Sequence, residues 1–130
     1  MTVEQAQQAA SSIARRFGLF ECDRCAKEIA KTLGKGFDAW FERLRTIDHS
    51  DVIGLADEGT QISTNGTHLG VRIGDKIVDN LLPEGVPARE WAGRFITATE
   101  APLAQESKPI SEFFGKIFLL KKFYRWLFGS

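Results

Sequence analysis

Thr67-His68-Leu69-Gly70-Val71-Arg72-Ile73-Gly74-Asp75-Lys76-Ile77-Val78-Asp79-Asn80-Leu81-Leu82 reads as two strands, 67–73 and 76–82, joined at Gly74-Asp75. A two-residue turn there sets Gly70 opposite Asp79 and His68 opposite Leu81. Side chains alternate along each strand, so His68 and Asp79 become diagonal neighbours on one face. A shift of one residue would bring Asn80 to that face instead. Upstream, Gln61-Ile62-Ser63-Thr64 followed by Asn65-Gly66 reads as a further strand entering 67–73 through a type I′ turn. The expectation is a three-stranded antiparallel meander that ends at Pro83-Glu84-Gly85.

Before these strands the periodicity is helical. Val3, Ala6, Ala10, Ile13 and Phe17 predict a helix over 3–17 that Gly18 ends. A second helix is expected from Cys22 to Leu33, with Cys25, Ala26, Ile29, Ala30 and Leu33 apolar and Gly34 and Gly36 closing it. Phe37 to Gly59 is ambiguous: Phe37, Trp40, Phe41 and Leu44 have helical spacing, yet a strand through 40–44 fits too. Residues 51–55 look like a short strand. Pro87 opens a short helix to Trp91. Residues 97–109, with two prolines and small polar residues, read as a linker, and Ser111 as the cap of a final helix from Glu112 to Phe128. The expected division is a catalytic domain over 1–100 and a linker and helix over 101–130.

One domain is the default for 130 residues, and such a chain buries a real core without disulfide or metal staples. Seventeen basic and seventeen acidic residues balance, so net charge offers no argument for nucleic acid. The balance hides a split, because from Phe113 onward the only charges are Lys116, Lys121, Lys122 and Arg125. Met1-Thr2-Val3-Glu4-Gln5 lacks the basic and apolar regions of a signal peptide, so the cytoplasm is the expected location.

Two cysteines three apart are too close for a relaxed structural disulfide. Four readings of the pair stand. Both can be small buried hydrophobes, which suits Cys25 on the apolar stripe better than Cys22 at the helix mouth. Cys-x-x-Cys at a helix start is a redox arrangement, although no strand–helix–strand unit precedes it. Cys22, Cys25, His49 and His68 would supply four zinc ligands, at intervals that match no familiar short-spaced site; no metal or other cofactor is expected. Finally, a thiol at a helix start with His68 as base and Asp79 as orienter makes a nucleophilic site, since a helix N-terminus and an imidazolium both favour thiolate. The helix stripe favours Cys22 as nucleophile, with Cys25 its alternate and Asn80 the alternate to Asp79. Gly70 beside the pair would leave room for substrate or for the helix end.

Three stretches, Phe17-Gly18-Leu19-Phe20-Glu21-Cys22-Asp23-Arg24-Cys25-Ala26, Ile62-Ser63-Thr64-Asn65-Gly66-Thr67-His68-Leu69-Gly70-Val71 and Val78-Asp79-Asn80-Leu81 with Gly85 and Trp91, together resemble the papain-fold toxin 2 domain. That domain occurs in bacterial polymorphic toxin systems and in short stand-alone proteins, many of them cyanobacterial. The resemblance covers about residues 1–100. It implies an α+β papain-like fold, with N-terminal helices packed on a small antiparallel sheet, and a Cys22-His68-Asp79 site. It further implies a cysteine hydrolase or acyl transferase acting as a toxin on a protein or peptide amide, and a protein antitoxin or immunity partner. Peptidase, deamidase and transglutaminase chemistry share the first step and are not separated. Where the family usually carries an aliphatic, strand-like stretch, this chain has Phe37-Asp38-Ala39-Trp40-Phe41-Glu42.

Residues 113–128 form a basic, aromatic-rich amphipathic segment, too short and too charged to span a bilayer. It is expected to pack on the body or on a second copy, or to lie in a membrane interface as a peripheral contact. A non-enzymatic membrane-active or interaction module built on it is the alternative to the enzyme.

Overall fold

Thr2 starts the first helix through a capping box: its hydroxyl accepts from the Gln5 N–H at 3.1 Å while its own N–H donates to the Gln5 side chain at 2.8 Å. The helix, α1 (Val3–Ala14), buries Ala6, Ala10, Ile13 and Ala14. A second, α2 (Cys22–Leu33), buries Cys25, Ala26, Ile29 and Ala30 and stops at Gly34, whose φ of 87° suits glycine. The structure, a computed structural model, describes residues 1–47, 52–57, 61–63, 66–114 and 126.

The ambiguous middle is a strand, β1 (Ala39–Thr46). Helical spacing loses because the extended chain sends Phe41 to one face and Leu44 to the other, and each meets its own apolar cluster. After it come β2 (Ile53–Leu55), β3 (Gln61–Ser63), β4 (Thr67–Ile73), β5 (Lys76–Val78), β6 (Val86–Pro87), the short α3 (Ala88–Trp91), β7 (Phe95–Thr97) and β8 (Leu103–Pro109). They form a five-stranded sheet ordered β6-β5-β4-β1-β8 and a three-stranded sheet ordered β3-β2-β7; every adjacent pair is antiparallel. The architecture is α+β.

The expected meander is corrected in one member. β4 pairs with β1 and β5, so both its edges are taken, and β3 pairs with β2 in the other sheet. Of the expected Asn65-Gly66 turn only Gly66 is described, with a φ of 72°. The β4–β5 hairpin keeps its two-residue turn, with Ile73 opposite Lys76 and Val71 opposite Val78. Its second strand stops at Val78 rather than Leu82, because the Asp79 carboxylate takes the N–H groups of Leu81 and Leu82 at 2.8 and 2.7 Å.

The expected linker is also corrected. Residues 95–97 and 103–109 are strands, and β8 pairs along β1 from Trp40↔Pro109 to Thr46↔Leu103. The large sheet therefore runs past the division expected near residue 100. As an edge strand half open to solvent, β8 needs few apolar residues and accommodates a terminal proline, which made it look like a linker. Ile110–Phe114 follows as a 3-10 turn. Of the helix expected to run on to Phe128, residues 115–125 and 127–128 lie outside the described residues, as does His49.

The large sheet separates two cores. Leu69, Val71 and Ile73 face α1 and α2 together with Phe41 and Val78. On the opposite face Ile77 and Leu44 pack with Trp91, Phe95, Ile53 and Ile62.

Candidate active site

His68 lies one residue into β4 with Leu44 as its register partner on β1. β5 ends before it reaches this level, so the flank of β4 is open to the turn that follows β5. Asp79 stands at the head of that turn. His68 Nε2 and Asp79 Oδ2 are 3.0 Å apart, and both side chains are fully buried. Asp79 Oδ2 also accepts from the Trp91 indole N–H at 2.8 Å, while Oδ1 holds the amides of Leu81 and Leu82. A carboxylate so surrounded is held ionised, and although burial opposes this, His68 and the donors keep Asp79 below the usual carboxylate range. An ionised carboxylate only accepts, so His68 Nε2 carries the hydrogen.

The imidazole packs against two rings that also touch each other. Trp91 stacks on it with centroids 5.9 Å apart, and Phe95 lies tilted against it at 4.8 Å. Burial alone pulls His68 down; the charge and hydrogen bond of Asp79, with Cys22 close enough to add to both, outweigh it and raise His68 to about 10. Its other nitrogen, Nδ1, is buried and makes no hydrogen bond of good geometry, so the weaker one that Cys22 adds falls there.

Cys22 is the first residue of α2 and is partly exposed, packed at the margin of the helix-side core. The N-cap, Glu21, makes no side-chain cap to the helix; its carboxylate turns back to the Gly18 N–H at 2.8 Å and to Arg24 at 2.8 Å. Asp23, in the first turn, shares the positive end of α2 with the thiol. Cys25 is 1% exposed within the core. Burial first, then the charges of Asp79 and Cys22, push its thiol up to about 12, and a thiol that keeps its proton is a poor nucleophile. Asn80 does not meet His68: its Nδ2 donates to the Gly18 carbonyl at 2.7 Å.

Gly70 leaves room neither for substrate nor for the helix end. A Cβ there would stand 2.7 Å from Ile77 Cγ2 and 3.0 Å from the Trp91 ring, so the space belongs to the indole that braces Asp79 and His68. Gly70→Ala is expected to cost about 1–3 kcal/mol by overpacking, measured by urea denaturation, and to lower activity through a displaced Trp91. Trp91 and Phe95 had no role assigned from sequence. Their contact with His68 arises between separate elements, and the one signal was Trp91's place among the residues that carry the resemblance.

Protonation of the pair ties stability to pH. Between about pH 6.5 and about 10 the folded chain holds a proton on His68 that the unfolded chain has released, so stability falls as pH rises across that window. Cys25 acts with the same sign only above its ordinary 9.0. Urea midpoints are therefore expected to fall between about pH 6.5 and 9 in the wild type and to stay level in His68→Gln. At the acid end, protonation of Asp79 withdraws its contribution as pH falls through its lowered value.

Among the described residues no group of three or more His, Cys, Asp or Glu is arranged to hold a metal ion. No described helix is long and apolar enough to cross a membrane. The family model described as papain fold toxin 2 matches residues 5–96. No curated protein and no solved structure matches the chain.

Proposed function

Because the chain belongs to the papain fold toxin 2 family, we propose that it is a cysteine-dependent acyl-transfer enzyme acting as a bacterial toxin on a protein or peptide amide. Cys22 is its nucleophile, His68 its general base and acid, and Asp79 the group that orients His68. One observation carries this reading. The imidazole has one nitrogen fixed by a buried carboxylate and the other, also buried, left to a helix-mouth thiol whose charge and weak hydrogen bond raise the ring.

The chemistry follows from those positions. The proton of the Cys22–His68 pair rests on His68 Nδ1, so the pair stands as thiolate and imidazolium, which Asp79 and the end of α2 stabilise. The sulfur attacks the amide carbonyl, a C–S bond forms, and the oxyanion is met by the backbone N–H of Cys22. His68 Nδ1 then gives its proton to the departing nitrogen as the C–N bond breaks. A water or an amine loses a proton to His68, attacks the thioester carbonyl and frees the thiol. With water the outcome is peptidase or deamidase chemistry; with an amine it is transamidation. A toxin of this kind needs a protein antitoxin or immunity partner in the cell that makes it.

The membrane-active reading has no comparable support. Of residues 115–128 only Trp126 is described, and its indole packs on the body, with the Arg43 guanidinium 4.8 Å and the Lys108 ammonium 5.3 Å from the ring and the Glu106 carboxylate accepting its N–H at 3.3 Å. Expression in a bacterial host tests the enzyme reading: the wild type should arrest growth and Cys22→Ala should relieve it completely. Arrest that persists in both Cys22→Ala and Cys25→Ala would sink the enzyme.

A further inference from the structure

We propose that Asn80 is a positioning residue that sets the distance between the Cys22 sulfur and the His68 imidazole by tethering the loop before α2 to the Asp79 turn. The proposal rests on the catalytic reading above and adds to it a residue that touches neither substrate nor the reacting atoms.

Asp79 and Asn80 are adjacent and reach in different directions. Asp79 holds the imidazole, while Asn80 Nδ2 donates to the Gly18 carbonyl at 2.7 Å. Gly18 lies four residues before the thiol, in a turn that is itself cross-braced. The Glu21 N–H returns to the Gly18 carbonyl at 3.3 Å, and the Gly18 N–H donates to the Glu21 side chain at 2.8 Å. Within this turn Phe20 has a φ of 65°, a left-handed backbone that L-residues seldom adopt and that the surroundings must enforce. A fixed turn passes a displacement at Gly18 directly to Cys22. One mechanical path from sulfur to imidazole thus runs through Gly18, Asn80 and Asp79, beside the packing of α2 on β4.

The orientation of the Asn80 amide is decided by chemistry. Reversed, its oxygen would face the Gly18 oxygen, two acceptors with no hydrogen between them. In the orientation present, Oδ1 is buried without a partner, and the residue is only 7% exposed. A residue present only to fill space would be apolar and would leave no buried acceptor unpaired. What Asn80 supplies is the donor.

The test follows alkylation of the purified full chain by iodoacetamide, mapped to Cys22 by mass spectrometry, beside the NMR signal of the His68 Nε2 proton in its bond to Asp79. Asn80→Asp keeps the volume and removes the donor; Asn80→Ala removes the amide without adding charge. In both, Cys22 is expected to react about 10- to 100-fold more slowly than in the wild type, the cost of a misplacement of about 1 Å, while the His68 signal persists. Alkylation within about twofold of wild type in either variant overturns the tether. So does loss of the His68 signal together with reactivity in both, since Asn80 would then merely hold the fold. If wild-type Cys22 reacts no faster than the same residue in His68→Ala, the catalytic reading itself fails and the tether falls with it.

Discussion

Cys22→Ala is expected to remove acyl transfer almost completely, by about 10⁴- to 10⁶-fold, because loss of a nucleophile leaves only binding and oxyanion stabilisation. The fold should barely notice. Cys22 is partly exposed at the first residue of α2 and alanine is a better helix former, so stability should stay within about 1 kcal/mol of wild type. Cys25→Ala is the contrasting variant. Its thiol lies in the core against α1 and the large sheet, so its loss should cost about 1 kcal/mol or more in urea denaturation and leave the chemistry in place. An activated aryl ester offered to the purified chain separates the two: the acyl mass should appear on Cys22 in the wild type and in Cys25→Ala and be absent from Cys22→Ala. An adduct of equal yield in Cys22→Ala would remove Cys22 from the mechanism.

The second large effect is expected at Asp79. Asp79→Ala leaves a buried imidazole without its counter-charge and strands the N–H groups of Leu81, Leu82 and Trp91. Breaking one partner out of a buried pair costs about 3–5 kcal/mol, to which the unpaired donors add. Asp79→Asn separates charge from shape. Its amide oxygen can still cap the turn, but its NH₂ would face His68 Nε2 and the Trp91 N–H. The imidazole would have to accept at Nε2 and carry its hydrogen on Nδ1, the tautomer unable to take the thiol proton. The same carboxylate-to-amide change beside the histidine of a serine protease reverses the tautomer and costs about 10⁴-fold in kcat. A loss of that order is expected here, with a smaller loss of stability than in Asp79→Ala. If Asp79→Ala unfolds in urea within about 1 kcal/mol of wild type, the buried pair is not the keystone described.

What could be read before the structure was local. The helix over Cys22–Leu33 is written in consecutive residues, with an apolar stripe and a terminal glycine, and its observed limits are the expected ones. The Gly74-Asp75 turn is equally local: two residues between extended runs leave one register, and that register carries His68 and Asp79 to each other. What could not be read depended on partners distant in sequence. Phe37, Trp40, Phe41 and Leu44 fit a helix until β4 and β8 are there to pair with the segment. Residues 103–109 lack an apolar pattern because an edge strand shows half of itself to water.

Neighbouring residues were thus enough for the family, the α+β class, the second helix and the hairpin register, and for the first helix except its last turn, which stops at Ala14 rather than Phe17, because stripe and turn are short-range properties. Three outcomes waited on the folded chain. β3 leaves the expected meander, Trp91 fills the space over Gly70 and donates to Asp79, and Asn80 reaches Gly18 rather than His68. Each is a competition for one site among groups far apart in the chain. Such competitions are settled by packing and by the demand that buried polar groups find partners, and neither acts until the chain has folded.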